Sequence, residues 1–492
     1  MRRETARNVL WSATEAAVSG ALSFVSVFVV ARLIGPAELG IGAAAVATHV
    51  LLWVAVNGLF ADAMVQRRSA DIATLSTAVW ASAGVGVLAA LLQAAAGWPL
   101  AAWLGDERLR PMCLLLAVPL PLVGAGGVMQ GMLTLRRDYR RLAWRTLAGQ
   151  GLGSITGIAA ACLHAGAWAP VLQQLVVSSV GALALLIGAG ERPRAILQWR
   201  ILCGLLGVGV PLTASTLVLA CRYRLFAILI GGTAGARVLG EVHMAFRLVE
   251  TVRELAFTAQ WRLMLPLLVD RQHDQAALRA ACDRMLALSG RIMLPLCGAM
   301  ALVLPAMVHL VLGPAWDSVG RAGAPLIALM ALLTLMFPSS VALVARGDTT
   351  RQFVGSLLST GAALAGVVLV QPVHALSATL VWLAAHLLTM PYALSVNGRA
   401  LDSGPLRPLR AGALVLGVVV AGVLGGSLLP LPAGGRMLWI MAGLERLGVF
   451  AAVVLPVLAA MWAADISTSA ARAAERVRMR WGGRRPRFPS LP

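Results

Sequence analysis

Long runs of apolar residues recur along the whole chain and are separated by short polar stretches rich in arginine. Each run has about twenty residues, the length that an α-helix needs to cross the hydrocarbon core of a bilayer. The predicted membrane helices are 8–30, 40–62, 73–97, 111–134, 143–165, 169–188, 201–223, 239–268, 286–312, 322–345, 352–371, 374–396, 411–430 and 437–463. The pattern therefore predicts an all-α polytopic membrane protein with about fourteen transmembrane helices.

Composition supports this interpretation and argues against a nucleic-acid partner. Of the 492 residues, 59% are hydrophobic and 13% are charged, whereas about a quarter of the residues of a soluble domain are charged. The 41 basic residues are all arginine and outnumber the 21 acidic residues, which gives a net charge of +20. Because the arginines lie mainly in loops, they are expected to set membrane topology, and no nucleic-acid partner is expected.

The arginines divide unequally between the two predicted sides of the membrane. Alternate loops and the C-terminal tail carry 27 arginines on one side, and the opposite loops carry six. The positive-inside rule then predicts that both termini are cytoplasmic. The opposite loops are short, so a membrane glycan polymerase with a large external domain is the least favoured function.

Short motifs recur at similar offsets and indicate two related halves. The offset is 196 to 200 residues for the first pair, 208 for the second and 210 for the third. The pairs are Leu33-Ile34-Gly35 and Leu39-Gly40 with Leu229-Ile230-Gly231 and Leu239-Gly240, Leu104-Gly105 with Leu312-Gly313, and Arg136-x-Asp138 with Arg346-x-Asp348.

These offsets match predicted helices 1, 3 and 4 to helices 7, 9 and 10, so the repeat unit is six helices. An even number preserves orientation, which predicts two lobes related by a pseudo-twofold axis along the membrane normal. The predicted segments are an N-lobe of helices 1–6 at 1–200, a C-lobe of helices 7–12 at 201–400, two extra helices at 401–463, and an arginine-rich cytoplasmic tail at 464–492, in which the part from Arg472 to Arg487 is expected to be disordered.

Predicted helix 8 has a continuous polar stripe. At 100° per residue, His243, Arg247, Glu250 and Glu254 fall within about 60° of one another, and Arg253 flanks them. The stripe either lines a wet central cavity that binds substrate or forms a neutralised ladder that fixes the helix to its neighbours. Both interpretations stay open at this stage.

Arg222 and Arg224 follow the apolar run of predicted helix 7. A rise of about 1.5 Å per residue puts them roughly 30 Å along the helix, in the outer part of the bilayer. They either extend to the external headgroups or supply positive charge to the outer half of a cavity, where a phosphate group would bind.

Glu15 lies on the same arc of predicted helix 1 as several serines. It is expected to face a cavity, where it either pairs with a basic residue or binds and releases a proton or another ion. His49, Trp53 and Asn57 follow one another at four-residue spacing in helix 2. Arg145 and Gln150, near the start of helix 5, are interpreted as loop anchors.

Catalytic and metal-binding patterns are missing from the sequence. The chain has no lysine and therefore no Walker lysine, and Ser-His-Asp, zinc and paired-carboxylate patterns are absent. No catalytic residue, metal or cofactor is expected. His164, His309, His374 and His386 are single residues without metal-ligand spacing and are expected at the membrane interface.

Several segments resemble one transporter family. The sequence ARLIGPAELG at 31–40, with Leu10-Trp11-Ser12 before it, is similar to the N-terminal motif of the oligosaccharide flippases of the multidrug/oligosaccharidyl-lipid/polysaccharide (MOP) exporter superfamily. Looser similarities are Gln66-Arg67-Arg68, Leu312-Gly313-Pro314-Ala315-Trp316 and Ala345-Arg346-Gly347-Asp348.

The resemblance implies two six-helix lobes around a cationic cavity that moves undecaprenyl-pyrophosphate-linked sugars across the bacterial cytoplasmic membrane. It implies as partners this lipid-linked oligosaccharide, membrane lipids, and the polysaccharide polymerase and chain-length machinery. Many relatives have an acidic residue near residues 225–229, where this chain reads LFAIL, so ion coupling at that position is not expected. The alternative function is a cation-coupled multidrug exporter of the same superfamily.

Overall fold

The computed structural model describes residues 2–67, 71–188, 193–432 and 435–481, and every regular element in these ranges is helical. The helices are α1 (Arg2–Arg67), α2 (Ile72–Leu104), α3 (Leu109–Ala117), α4 (Leu120–Leu135), α5 (Tyr139–Cys162), α6 (Trp168–Gly188), α7 (Trp199–Val269), α8 (Gln275–Val311), α9 (Asp317–Ala345), α10 (Thr349–Val370), α11 (Ala375–Ala400), α12 (Arg407–Ser427) and α13 (Arg436–Trp481), with a short 3₁₀ turn at Pro314–Trp316. The all-α membrane architecture is confirmed.

The two longest helices are each broken at one glycine. Gly35 in α1 has φ 79° and ψ 172°, and Gly235 in α7 has φ 86° and ψ 170°. This backbone conformation is accessible to glycine and strained for other residues. The predicted loops at 31–39 and 224–238 are therefore wrong: apart from the glycine, both segments are helical.

The matched breaks support an internal repeat and correct its alignment. Gly35 and Gly235 have the same conformation and differ by 200 residues, as do Gly40 and Gly240. The structural counterpart of Gly35 is Gly235 rather than Gly231. The motif Leu-Ile-Gly gave the wrong alignment because such apolar triplets are common in membrane helices. The positive φ angle identifies the equivalent backbone position in the two helices.

Twelve segments of the described residues are long and apolar enough to cross a membrane. One of them, Leu10–Gln66, has 57 residues and contains the break at Gly35, where the sequence predicts two helices. Helix α5 is not among the twelve. Predicted helix 4 is two helices, α3 and α4, which meet at Pro119 because proline cannot continue the helical hydrogen bonds. The count of fourteen stays a prediction.

The chain forms two compact units. Unit 1 comprises Met1–Val252, Met307–Leu326 and Thr350–Ala393, and unit 2 comprises Arg253–Ala306, Ile327–Thr349 and Leu394–Pro492. The dividing points fall inside helices and do not follow the predicted boundary at residue 200. The division into an N-lobe at 1–200 and a C-lobe at 201–400 stays a prediction.

Glycines allow close helix packing within unit 1. A Cβ at Gly127 would lie 2.6 Å from the carbonyl oxygen of Asn57, and one at Gly131 would lie 2.8 Å from that of Ala61, so α4 packs directly on α1. Small residues four apart permit this approach in membrane helices. Gly40 and Gly240 also lie against each other, and each is five residues after one of the two glycine breaks.

In unit 2, the last helix continues further than the sequence predicts. Helix α13 runs to Trp481, so the expected disorder is wrong for residues 472–481, and the remaining tail lies outside the described residues. Arg446 lies inside this helix and is only 7% exposed, so its charged side chain needs a hydrogen-bond partner. Its Nε donates to the carbonyl oxygen of Leu429 at 3.1 Å, which satisfies an acceptor beyond the end of α12.

Candidate functional site

Helix α7 brings two polar residues together by reversing direction at Gly235. The hydroxyl oxygen of Tyr223 lies 3.0 Å from Nδ1 of His243. In a straight helix, twenty residues would separate these groups by about 30 Å. The break therefore builds the first part of the candidate site, a cavity of about 90 Å³ that Tyr223, Arg224 and His243 line together with residues of α1.

Two of the predicted arginines, Arg224 and Arg247, hydrogen-bond to neutral groups in unit 1. Arg247 Nη2 donates to the Ser23 hydroxyl at 2.6 Å, and Arg224 Nη1 donates to the Ala220 carbonyl at 2.9 Å. The Nε of Arg247 is buried without a hydrogen-bond partner in the described part of the chain. These bonds orient both guanidinium groups without neutralising them, which suits the binding of an anion.

Arg222 belongs to an aromatic cluster on α7 and α11. Its guanidinium carbon lies 5.1 Å from the centre of the Trp382 ring, and its Nη2 contacts Nε2 of His386. Nδ1 of His386 lies 2.7 Å from the carbonyl oxygen of Trp382, which leaves Nε2 as the acceptor for Arg222. This contact joins residues 164 apart in the sequence, so no local pattern predicts it, and the interfacial position of His386 stays a prediction.

The predicted stripe on α7 extends over both compact units. Glu250 is half-buried in unit 1. Arg253 and Glu254 belong to unit 2, where the Arg253 guanidinium carbon lies 5.7 Å from the centre of the Phe257 ring and Glu254 is exposed. A substrate role for all of these residues, with His243 and the arginines, stays a prediction.

Glu15 lies near a polar group on α5. Its Oε1 accepts a hydrogen bond from the Thr146 hydroxyl at 2.6 Å, and its charge attracts Arg145. Arg145 Nη1 in turn donates to Gln130 Oε1 at 2.6 Å. Arg145 is therefore not a simple loop anchor. The contacts agree with the pairing interpretation of Glu15, and its role in ion coupling stays a prediction.

Two further cavities in unit 1 form what we term the amide chamber. They measure about 220 and 140 Å³ and share Gln150, Gln174 and Val177 as lining residues. The larger one is also lined by Trp53 and Asn57, and the smaller one by residues of α1, α6 and α7. Gln150 thus lines a cavity, contrary to its interpretation as a loop anchor.

A charged cluster in unit 1 joins Glu38 of α1 to two connecting segments. Arg108 Nη1 and Nη2 donate to the two oxygens of Glu38 at 2.9 and 3.0 Å, and Arg108 also bonds to Asp106. The backbone N–H of Ala167 donates to Glu38 at 2.7 Å. The hydrogen bonds from Arg108 lower the pKa of Asp106, and those to Asp106 and Glu38 raise the pKa of Arg108. The cluster therefore ties α1 to the segments that precede α3 and α6.

Among the described residues, no group of three or more His, Cys, Asp or Glu side chains could hold a metal ion. The three cavities of the candidate site present arginine, histidine, hydroxyl and amide groups. Such groups bind anions and hydroxylated molecules through hydrogen bonds.

Sequence comparison relates the chain to a family of polysaccharide biosynthesis proteins. Residues 29–320 match the family model described as polysaccharide biosynthesis protein. The chain is also similar to the succinoglycan biosynthesis transport protein ExoT of Rhizobium meliloti (strain 1021), with 25% identity over 314 residues. That match covers 63% of this chain and 63% of the relative, which is less than two thirds of the relative's length.

Solved structures share the fold at low sequence identity. The lipid II flippase MurJ in an inward closed conformation matches with a TM-score of 0.73 and 11% identity, over 93% of this chain and 99% of that chain. An inward-facing multidrug resistance MATE family transporter of the MOP superfamily matches with a TM-score of 0.55 and 13% identity, over 78% of this chain and 95% of that chain. These similarities establish the fold.

Proposed function

Because the chain belongs to the polysaccharide biosynthesis protein family, we propose that it is a flippase for lipid-linked oligosaccharides. The substrate is an oligosaccharide on undecaprenyl pyrophosphate, which the protein moves from the inner to the outer leaflet of a bacterial cytoplasmic membrane. The cargo then serves the synthesis of exopolysaccharide or O-antigen, with a polymerase and chain-length machinery as downstream partners.

This proposal rests on the burial and hydrogen bonding of Arg224 and Arg247. Both are half-buried, and their hydrogen bonds go to a carbonyl and a hydroxyl oxygen. Cationic groups within membrane helices are costly and are typically functional. A pyrophosphate has the charge and the acceptor oxygens to satisfy both guanidinium groups. Arg222, His243 and Glu250 complete the proposed substrate site in unit 1, and a substrate role for Arg253 and Glu254 stays a prediction.

Transport proceeds in this proposal by alternating access. The pyrophosphate and first sugars are bound from the cytoplasmic side, while the polyprenyl tail stays in lipid. The excess of arginine in alternate loops supports cytoplasmic termini. The fold shared with MurJ and MATE proteins is consistent with a transport cycle of this kind.

The first experiment deletes the gene in its host and measures surface glycan and lipid-linked oligosaccharide by mass spectrometry. We expect surface glycan to be lost and complete lipid-linked units to accumulate on the cytoplasmic leaflet. Unchanged lipid-linked pools together with greater drug sensitivity would favour the multidrug exporter instead.

The second experiment complements the deletion strain with the double variant Arg224→Ala/Arg247→Ala. Glycan export should fall at least about tenfold, because the pyrophosphate loses two charge-assisted hydrogen-bond partners. Arg262→Ala is the matched control, since Arg262 lies on the same helix and is exposed. Normal export by the double variant, at equal amounts of membrane-inserted protein, would contradict the assignment.

A further inference from the structure

The amide chamber has a lining that differs from the rest of unit 1. Four amide side chains, those of Asn57, Gln150, Gln173 and Gln174, face its two cavities. An amide offers two N–H donors and a carbonyl acceptor without carrying a charge. The chamber therefore presents a dense set of neutral donors and acceptors inside a membrane bundle, where unused polar groups are costly.

The two central glutamines have hydrogen-bonding capacity left. Gln174 Nε2 donates to the Ser178 hydroxyl at 3.1 Å, and Gln150 Nε2 lies 3.5 Å from the Ser154 hydroxyl, which is longer than a normal hydrogen bond. Gln173 Oε1 accepts from Ser26 at 3.1 Å, and this bond links α6 to α1. Gln150 and Gln174 are the two glutamines that line both cavities, so a ligand that spans the chamber can bond with them.

The single arginine of the chamber does not make it a second anion site. Arg145 lines the larger cavity, donates to Gln130 at 2.6 Å and is attracted by the charge of Glu15. The pair of opposite charges leaves this end of the chamber close to neutral. An uncharged polar ligand suits it better than a second phosphate would.

Size and shape also indicate an organic ligand. The two cavities share lining residues, and together they lie within the range of about 300–1,000 Å³ that small-molecule sites occupy. The indole of Trp53 lines the larger cavity and supplies an amphipathic surface. Neutral hydrogen-bonding groups beside an aromatic ring match the alternating hydroxyl and C–H surfaces of a pyranose.

The chamber is adjacent to the arginines of the proposed phosphate site. Its smaller cavity is lined by Ser23 and His243, and Arg247 donates to Ser23 at 2.6 Å. We propose that the amide chamber binds the uncharged sugar residues next to the pyrophosphate, with Gln150 and Gln174 donating and accepting hydrogen bonds to their hydroxyls. This inference rests on the proposed function and adds to it the residues that recognise the glycan.

The test measures binding of two lipids to the purified full-length protein in nanodiscs. One lipid is undecaprenyl pyrophosphate without sugar, and the other is the lipid-linked oligosaccharide extracted from the deletion strain. We expect the wild type to bind the glycan-bearing lipid about tenfold more tightly, because several hydroxyl hydrogen bonds are added. The variant Gln150→Leu/Gln174→Leu should bind both lipids equally and keep the wild-type affinity for the bare lipid.

Two controls separate recognition from folding. Gln352→Leu changes an exposed glutamine on α10 and should preserve the tenfold preference. Gln174→Glu keeps the side-chain shape, and it should reduce the preference at an unchanged melting temperature, since the carboxylate lacks the amide donors.

The possible results distinguish the inference from the function it rests on. If the wild type binds both lipids equally, or if the double variant keeps the preference, the amide chamber is not the sugar site, while binding of the bare lipid still supports the proposed function. If the wild type binds neither lipid, the proposed function and this inference both fail.

Discussion

At the scale of single residues, the candidate site depends on polar side chains whose partners are distant in the sequence. Arg222 contacts His386, Arg247 bonds to Ser23, and Glu15 accepts from Thr146. The sequence predicted a functional role for Arg222, Arg247 and Glu15, because ionisable groups at membrane depth are costly and are commonly part of a functional site. It did not predict any of their partners, since helical periodicity gives only the face on which a residue lies.

Glu15 provides a residue-scale test of ion coupling. We expect Glu15→Gln to slow export and to flatten its dependence on pH from about pH 6 to about pH 8, because the amide cannot bind and release a proton. Thr146→Val is the control, since it removes the hydrogen bond to Glu15 and keeps the carboxylate. An export rate of Glu15→Gln equal to that of the wild type at every pH would exclude the coupling role.

The charged cluster around Arg108 predicts a pH effect on stability. Asp106 has a lowered pKa in the folded protein, so its contribution is present above its usual value of about 4 and is lost as the pH falls through the lowered value. We expect Arg108→Ala to lower the melting temperature at neutral pH and to differ less from the wild type near pH 3. The effect is small, because Arg108 and Glu38 are 44% and 31% exposed. A difference that grows on acidification would contradict this account.

At the scale of secondary structure, the glycine breaks determine how α1 and α7 pack. A Cβ at Gly40 would lie 1.8 Å from the carbonyl oxygen of Ala236, and one at Gly240 would lie 1.9 Å from that of Pro36. The contact is reciprocal, as a two-fold relation between the repeats requires. Backbone atoms cannot move aside as a flexible side chain can, so these positions exclude any larger residue.

Substitution at these glycines should therefore be costly. Gly40→Val or Gly240→Val is expected to destabilise the protein by about 1–3 kcal/mol or more, because overpacking forces the helices apart. Gly20→Ala and Gly84→Ala are matched controls, since a Cβ at either site meets nothing within 4 Å. Melting curves of the detergent-purified variants would measure the difference, and wild-type stability of both valine variants would refute the packing argument.

At the scale of the whole molecule, sequence and structure agree on the class of protein and differ in its subdivision. The family match, the fold shared with MurJ and the twelve candidate spans in the described residues all indicate a multi-pass membrane protein of the polysaccharide biosynthesis family. The compact units do not end where the six-helix repeat predicts a boundary. Repeat boundaries follow from ancestry along the chain, whereas compactness follows from packing in space, so the two need not coincide.

The sequence by itself determined the membrane class, the helical content, the family resemblance and the polar residues of α7, because hydropathy and helical periodicity are local properties of the chain. It also indicated the repeat, although it aligned Gly35 with the wrong glycine. The tertiary structure decided that Tyr223 meets His243 and that Gln150 lines a chamber. Those arrangements depend on chain reversal and packing between distant segments, which no local pattern encodes.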